Sequence, residues 1–215
     1  METETKKELK TGTTTIGILC KDGIILAADK RVTSGNQIAN KRFEKVIPIS
    51  DNTAITTAGL VSDAQLLTKL IKAEIKLKQV KVGRKLIVKE IVNMLAGLSY
   101  ANIRQFSSVP GIVGFLVGGF DDTGAHLYEI GIDGSVTESH DFVSDGSGSY
   151  YALGCLESGY SKDITVEQAV KLSVKAVNTA LQRDTASGDG IDVFSITKSG
   201  VKKIMTQEIS YGLKE

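Results

Sequence analysis

The chain has few of the residues that build metal sites, disulfide frameworks or Ser-His catalytic centres. Its 215 residues include two cysteines and two histidines. Cys20 and Cys155 lie in apolar surroundings and form neither a CxxC nor a zinc-binding pattern. We therefore interpret them as reduced core thiols of a cytoplasmic protein. His126 and His140 lie in strand-like segments without a Cys or His nearby, so we expect no metal site, no cofactor and no Ser-His-Asp arrangement.

The chain also lacks a strong net charge and a long hydrophobic run. A formal net charge of +1 gives no electrostatic reason to expect binding to nucleic acid or to an anionic membrane. The apolar run "GIVGFLVGGF" (111–120) is shorter than the roughly 18 residues of a membrane span, and it is typical of a buried strand. Residues 1–12, "METETKKELKTG", have no apolar h-region, so they are interpreted as a short polar leader rather than a signal peptide.

Secondary-structure signals occur in blocks, and the length favours one domain. The predicted strands are 13–20, 23–30, 45–50, 53–60, 111–120, 125–131, 135–143, 191–197 and 201–206. One helix pair is predicted from Ser62, with "SDAQ" as a capping box and Leu66, Leu67, Leu70, Ile71 and Leu77 at helical spacing, and then over 85–98. A second pair is predicted from near Ser149 and from Thr165, where "TVEQ" is again a capping box.

A block of strands is followed by two helices, this order is repeated, and further strands close the chain. The order differs from strict βαβ alternation. It favours helices packed on the outer faces of antiparallel sheets. Two sheets face to face with helices outside would bury all of these elements in four layers. The sequence therefore predicts an α+β fold.

Several polar groups stand at predicted strand ends or in Gly-rich loops, where functional side chains are often displayed. They are Thr13, Asp29, Lys45, the loop "DGSGS" (145–149) and the loop "QRDTASGDGID" (182–192). Each alone has a structural explanation, such as β propensity, solvation, a turn or an N-cap. "DGSGS" before a helix could also bind an anion, but it lacks the Gly-Lys-Ser/Thr of a phosphate loop.

Together these segments resemble one family, the 20S proteasome β subunits, most closely the archaeal type. The resemblance is carried by "GTTT" (12–15), "LAADKRVTSG" (26–35), Lys45, "TTAGLVSDAQ" (56–65), "DGSGSYYALGCLE" (145–157) and "QRDTASGDGIDV" (182–193). It covers the chain from Thr13 to the last predicted strand. It implies the N-terminal-nucleophile hydrolase fold, a four-layer αββα sandwich of two antiparallel sheets flanked by helix pairs.

The resemblance also implies that residues 1–12 are a propeptide, removed by self-cleavage between Gly12 and Thr13, and that 13–215 form one catalytic domain. The implied activity is that of a threonine endopeptidase. A threonine hydroxyl needs a base, and a free α-amine, with an unperturbed pKa of about 7.7–8.0, can supply one. While Gly12 is attached, the same nitrogen is a non-basic amide. Gly12 is expected to allow a strained turn that brings the Thr13 hydroxyl to its own carbonyl.

The resemblance assigns the remaining roles residue by residue. Asp29 would pair with Lys45, whose positive charge would lie beside the Thr13 hydroxyl. Ser147 would lie near the terminal amine, and Asp184 and Ser187 would orient it. The oxyanion donor would be the N–H of Gly59. The pocket for the residue before the scissile bond would be lined by small or aliphatic side chains that favour apolar substrates: Val32, Ile47, Thr57 and Val61.

The implied partners are other β subunits in a seven-membered ring, α subunits, and a regulatory ATPase that acts through the α ring. Unfolded proteins would be the substrates. An alternative is a β subunit that builds the ring but stays unprocessed and catalytically silent. All catalytic positions carry the residue types of the family, which favours the active form.

Overall fold

The computed structural model of the protein describes residues 12–209, so most of the predicted leader, 1–11, lies outside the described residues. The strands are β1 (Thr15–Cys20), β2 (Gly23–Asp29), β3 (Val32–Ser34), β4 (Gln37–Asn40), β5 (Val46–Ser50), β6 (Thr53–Gly59), β7 (Val113–Asp121), β8 (Gly124–Ile130), β9 (Val136–Ser139), β10 (Phe142–Asp145), β11 (Gly190–Thr197) and β12 (Gly200–Glu208). The helices are α1 (Val61–Val82), α2 (Val88–Ile103), α3 (Ser149–Gly159) and α4 (Val166–Leu181).

The strands form two five-stranded antiparallel sheets and one short hairpin. The first sheet has the order β10-β1-β2-β11-β12, and the second has the order β5-β6-β7-β8-β9. The hairpin pairs β3 with β4, which lie in sequence between β2 of the first sheet and β5 of the second. Since β1 pairs with both β2 and β10, the first strand of the domain is an interior strand of the first sheet.

Three apolar clusters hold the layers together. One joins α1 and α2 to the second sheet around Ile71, Ile91 and Phe115. Another joins α3 and α4 to the first sheet around Ile16 and Val177. The third lies between the two sheets and includes Leu26, Leu116 and Phe194. This arrangement confirms the predicted α+β sandwich with helix pairs outside two antiparallel sheets.

Three local predictions were wrong or incomplete. The segment 135–143 is divided between β9 of the second sheet and β10 of the first, because the chain crosses between sheets there. The hairpin β3–β4 was not predicted, since its strands are only three and four residues long and mostly exposed. Helix α1 begins at Val61 rather than at a Ser62 cap: Leu60 accepts the first helical bond, from the N–H of Ala64, and Ser62 bonds Asp63 instead. The cap at Thr165 is confirmed, with reciprocal bonds to Gln168.

The apolar residues of α1 lie on two faces. Leu67 and Ile71 are buried, but Leu66, Leu70 and Leu77, which the spacing grouped with them, are 40–64% exposed. Within residues 12–209, each helix is too short or too polar to cross a membrane.

Candidate active site

Thr13 lies two residues before β1 and is buried. Asp29 is the last residue of β2, which pairs with β1 so that Thr15 is opposite Ala28. Lys45 immediately precedes β5, at the edge of the second sheet. Each of these side chains was predicted from a strand end, and the packing of the two sheets brings the strand ends together.

The Lys45 ammonium group contacts Asp29, Thr13 and Gly12. Its Nζ donates to Oδ1 of Asp29 at 2.7 Å, to Oγ1 of Thr13 at 3.2 Å and to the carbonyl oxygen of Gly12 at 3.3 Å. The Thr13 hydroxyl donates to the same Gly12 oxygen at 2.6 Å. The hydroxyl, the cation and the Gly12–Thr13 peptide bond are therefore in direct contact.

Asp29 is completely buried and is held by backbone donors as well as by Lys45. Its Oδ1 accepts the N–H of Thr14, and its Oδ2 accepts the N–H groups of Arg31 and Gly188. These bonds stabilise the carboxylate and fix its position. Burial lowers the pKa of Lys45 below its usual range, although the Asp29 carboxylate acts in the opposite direction.

A second cluster surrounds the backbone nitrogen of Thr13. That nitrogen donates to Oγ of Ser147 at 3.2 Å. Oγ of Ser147 and Oγ of Ser187 both donate to Oδ2 of Asp184 at 2.6 Å. Thus the structure brings together the three residues assigned to the amine, although they come from two distant loops.

Thr14 also belongs to this cluster, and sequence reasoning missed it. Its Oγ1 lies 2.7 Å from Oγ of Ser187, and the residue is fully buried. The run of three threonines indicated that several hydroxyl groups lie here. The alternation of side chains along a strand does not indicate which hydroxyl contacts which loop.

Gly59 ends β6 with a φ of +136°, a conformation that favours glycine. A Cβ there would also collide with the carbonyl of Ile112. The N–H of Thr57 donates to the carbonyl of Lys45, whereas that of Leu60 points to Ile112 on the other side. Since N–H directions alternate along a strand, the N–H of Gly59 is directed to the Lys45 side, beyond the start of β5.

The four residues assigned to a substrate pocket occupy separate elements. Ile47 faces Ile55 across β5 and β6, and Thr57 lies two residues further on the same face. Val61, half-buried, opens α1, which packs over that face. Val32 is half-buried in β3, on the hairpin after Asp29.

Gly12 is crowded by the loop that carries Asp184 and Ser187. The strained turn expected at this glycine stays a prediction. A Cβ on Gly12 would lie 2.7 Å from both the Cα and the carbonyl oxygen of Ala186, and it would overlap the Ala186 Cβ. Lack of space therefore favours glycine before Thr13.

We expect Gly12→Ala to slow removal of the leader by at least roughly tenfold, because the clash displaces the peptide bond from Thr13 Oγ1 and Lys45. The time course of leader loss by mass spectrometry measures this. Gly97→Ala is the matched control, since a Cβ there meets nothing within 4 Å. Equal rates for both variants would contradict the crowding explanation.

Asp145 precedes Gly146 and Ser147 and lies between the sheets. Burial raises the pKa of Asp145, although the N–H of Gly146 donates a hydrogen bond to this carboxylate and acts in the opposite direction. Burial also raises the pKa of Glu129, and the charge of Asp145 acts in the same direction. A carboxyl group with a raised folded-state pKa stabilises the fold while it is protonated, and this contribution is lost as pH rises through that pKa.

We therefore expect Asp145→Asn to raise the melting temperature at pH 7 by a few degrees and to have a smaller effect near pH 4. The asparagine oxygen can still accept the Gly146 N–H. Thermal unfolding at both pH values measures the difference. A gain that grows on acidification would contradict the assignment.

Comparison with known proteins identifies the relatives of this chain. A family model described as "Proteasome subunit" matches residues 9–196. The chain is 45% identical over 206 residues to a "Proteasome subunit beta" from Archaeoglobus profundus, which covers 96% of this chain and 94% of that protein. It is 45% identical to a protein of the same name from Ferroglobus placidus, covering 92% of each chain. It is 41% identical to "Proteasome subunit beta 1" from Thermococcus onnurineus, covering 94% of this chain and 97% of that protein.

Proposed function

Because the chain belongs to the proteasome subunit family and is a β subunit of the 20S core, we propose that it is a threonine endopeptidase that activates itself. Membership of this family means assembly with other proteasome subunits. The observation that carries the proposal is the contact of the Thr13 hydroxyl and the Lys45 ammonium group with one carbonyl, that of Gly12. The Gly12–Thr13 peptide bond, the hydroxyl that would attack it and the titratable amino group of Lys45 are thus adjacent.

Self-cleavage would begin with attack of Thr13 Oγ1 on the Gly12 carbonyl carbon. The bond from that carbon to the Thr13 nitrogen breaks, an ester forms to Oγ1, and the nitrogen takes up a proton to become an amine. Water then hydrolyses the ester, so residues 1–12 leave with a carboxylate on Gly12 and Thr13 becomes the first residue. Before cleavage the nitrogen is not basic. Lys45 touches the hydroxyl, and its lowered pKa increases the neutral fraction that can accept the proton.

In the processed chain the new amine would take over as base for the hydroxyl of its own residue. It would replace the amide that donates to Ser147, so Ser147, Asp184 and Ser187 would orient it. Lys45, paired with Asp29, would then favour the developing alkoxide. The N–H of Gly59 would bind the oxyanion. Such a donor typically contributes about 2.7–4 kcal/mol to transition-state stability.

The substrates would be peptide bonds of unfolded proteins with an apolar residue before the cleaved bond. Ile47, Thr57, Val61 and Val32 carry no charge that could bind an acidic or basic side chain. We propose that the chain works in the cytoplasm in a seven-membered β ring capped by α subunits, with an ATPase delivering substrates. A closed chamber would keep such an unselective peptidase away from folded proteins.

The test is the intact mass of the subunit in purified particles, together with hydrolysis of fluorogenic peptides. The proposal predicts a chain that begins at Thr13 in particles that cleave peptides with apolar residues. A full-length chain in inactive particles would instead identify a silent structural subunit.

A further inference from the structure

Arg31 follows Asp29 by two residues and reaches across to the loop 184–189. Its Nε donates to Oδ2 of Asp189 at 2.7 Å, and a second guanidinium nitrogen donates to Oδ1 at 3.4 Å. The third nitrogen donates to the carbonyl of Thr185 at 3.0 Å. The Arg31 and Asp189 side chains are 14% and 1% exposed. We refer to these contacts with Asp189 and Thr185 as the Arg31 clamp.

The loop is shaped around the guanidinium group. Asp189 has a φ of +65°, and within residues 12–209 it is the one non-glycine residue with a positive φ. This conformation is unfavourable for a residue with a Cβ, so surrounding contacts must hold it. A Cβ on Gly188 would collide with the Arg31 guanidinium group. The carbonyl of Asp189 also accepts the N–H of Ile209.

The same loop connects the two clusters of the active site. At its start, Asp184 accepts hydrogen bonds from Ser147 and Ser187. Near its end, Gly188 donates its N–H to Asp29 at 3.0 Å and accepts the N–H of Lys30 at 3.1 Å. A small displacement of this loop would therefore disturb both the groups around the Thr13 nitrogen and the carboxylate that pairs with Lys45.

We propose that Arg31 is a positioning residue for the reaction, which holds this loop through Asp189 and Thr185 so that Asp184 and Ser187 orient the Thr13 amine. In this assignment Arg31 acts through the loop rather than on the reacting atoms. The inference rests on the proposed function, because the amine exists only after self-cleavage.

A purely electrostatic role for Arg31 makes a different prediction. The pKa of Lys45 is lowered chiefly by burial, and the charge of Arg31 acts in the same direction. Arg31→Lys keeps that charge but loses the planar fork that binds both Asp189 oxygens. If the fork matters, Arg31→Lys is impaired; if only the charge matters, it resembles the wild type.

The experiment measures kcat and KM for a fluorogenic peptide on assembled particles, after confirmation by mass that the subunits begin at Thr13. We expect Arg31→Lys and Asp189→Asn each to lower kcat roughly 10- to 100-fold, with KM within about twofold. The double variant is expected to be no worse than either single variant, since both remove the same contact. Arg42→Lys, which alters an exposed ion pair with Glu208, is the matched control and is expected to keep the wild-type kcat.

Two further variants separate positioning from stability. Asp189→Gly relieves the positive φ, so it is expected to melt no lower than Asp189→Asn while kcat still falls. Arg31→Ala is expected to regain activity with millimolar ethylguanidinium, which has the fork, but not with ethylammonium. Wild-type kcat in Arg31→Lys or Asp189→Asn, or equal rescue by both cations, would overturn the proposal.

If the proposed function is wrong, the observation differs: the wild-type particle neither loses its leader nor cleaves peptides. Hydrogen exchange of residues 184–189 then tests the Arg31 clamp without activity. Faster exchange in Arg31→Lys than in Arg42→Lys supports the clamp, and equal exchange overturns it.

Discussion

Thr13→Ala is expected to abolish both removal of the leader and peptide hydrolysis, because one oxygen performs both attacks. Oγ1 lies 2.6 Å from the Gly12 carbonyl oxygen and 3.2 Å from Nζ of Lys45. Losing the nucleophile of such a group costs roughly 10⁴-fold or more in rate. The subunit should retain residues 1–12, and the particle should have no peptidase activity above background.

Thr13→Ser is the matched control, since it keeps the hydroxyl and removes a methyl group. It is expected to lose its leader and to cleave peptides, although more slowly. Intact mass and peptide hydrolysis are measured on both variants after assembly is confirmed. A Thr13→Ala chain that loses its own leader in particles without an active subunit would contradict the assignment.

Lys45→Ala is expected to stop processing while the chain still folds and assembles. Removing one member of a buried ion pair can cost about 3–5 kcal/mol, since it leaves a charge without its partner. Asp29, however, keeps three backbone donors, those of Thr14, Arg31 and Gly188. The fold therefore survives, whereas Thr13 loses its charged neighbour.

The control for lost stability is Lys30→Ala, which breaks a different buried pair, with Asp192 at 2.8 Å. Asp192 keeps a bond from Thr206, so a comparable destabilisation is expected. Leader removal and melting temperature are measured for both variants. Normal maturation of Lys45→Ala would refute its role, and failure of Lys30→Ala to mature at equal stability would attribute the effect to destabilisation.

Much of the fold was predictable because apolar periodicity changes sharply from strands to helices. The cap formed by Thr165 and Gln168 is local, so the sequence indicated it correctly. Ser62 satisfied the same pattern but lies inside α1, because β6 ends at Gly59 and only Leu60 separates it from the helix. The β3–β4 hairpin has too little buried surface to leave a pattern in the sequence.

The resemblance assigned the residues of the candidate site, but it did not indicate their contacts. Thr13, Asp29 and Lys45 were assigned by the resemblance, and the sheets place them within hydrogen-bonding distance. The crowding of Gly12 by Ala186 joins residues 174 positions apart, so no local pattern predicts it. The Arg31 clamp is similar: "DKR" does not indicate a partner for either cation, yet packing buries one against Asp192 and the other largely against Asp189.

The central claim is that the free α-amine of Thr13 is the base for the hydroxyl of the same residue. Its most direct test compares particles of subunits beginning at Thr13 with a free amine and particles whose Thr13 amine is acetylated. Acetylation removes the basic lone pair and leaves the hydroxyl, Lys45 and Asp29 in place. We predict a fall in peptide hydrolysis of roughly 10²–10⁴-fold in intact particles. Acetylated particles that cleave peptides at the unmodified rate would contradict the claim.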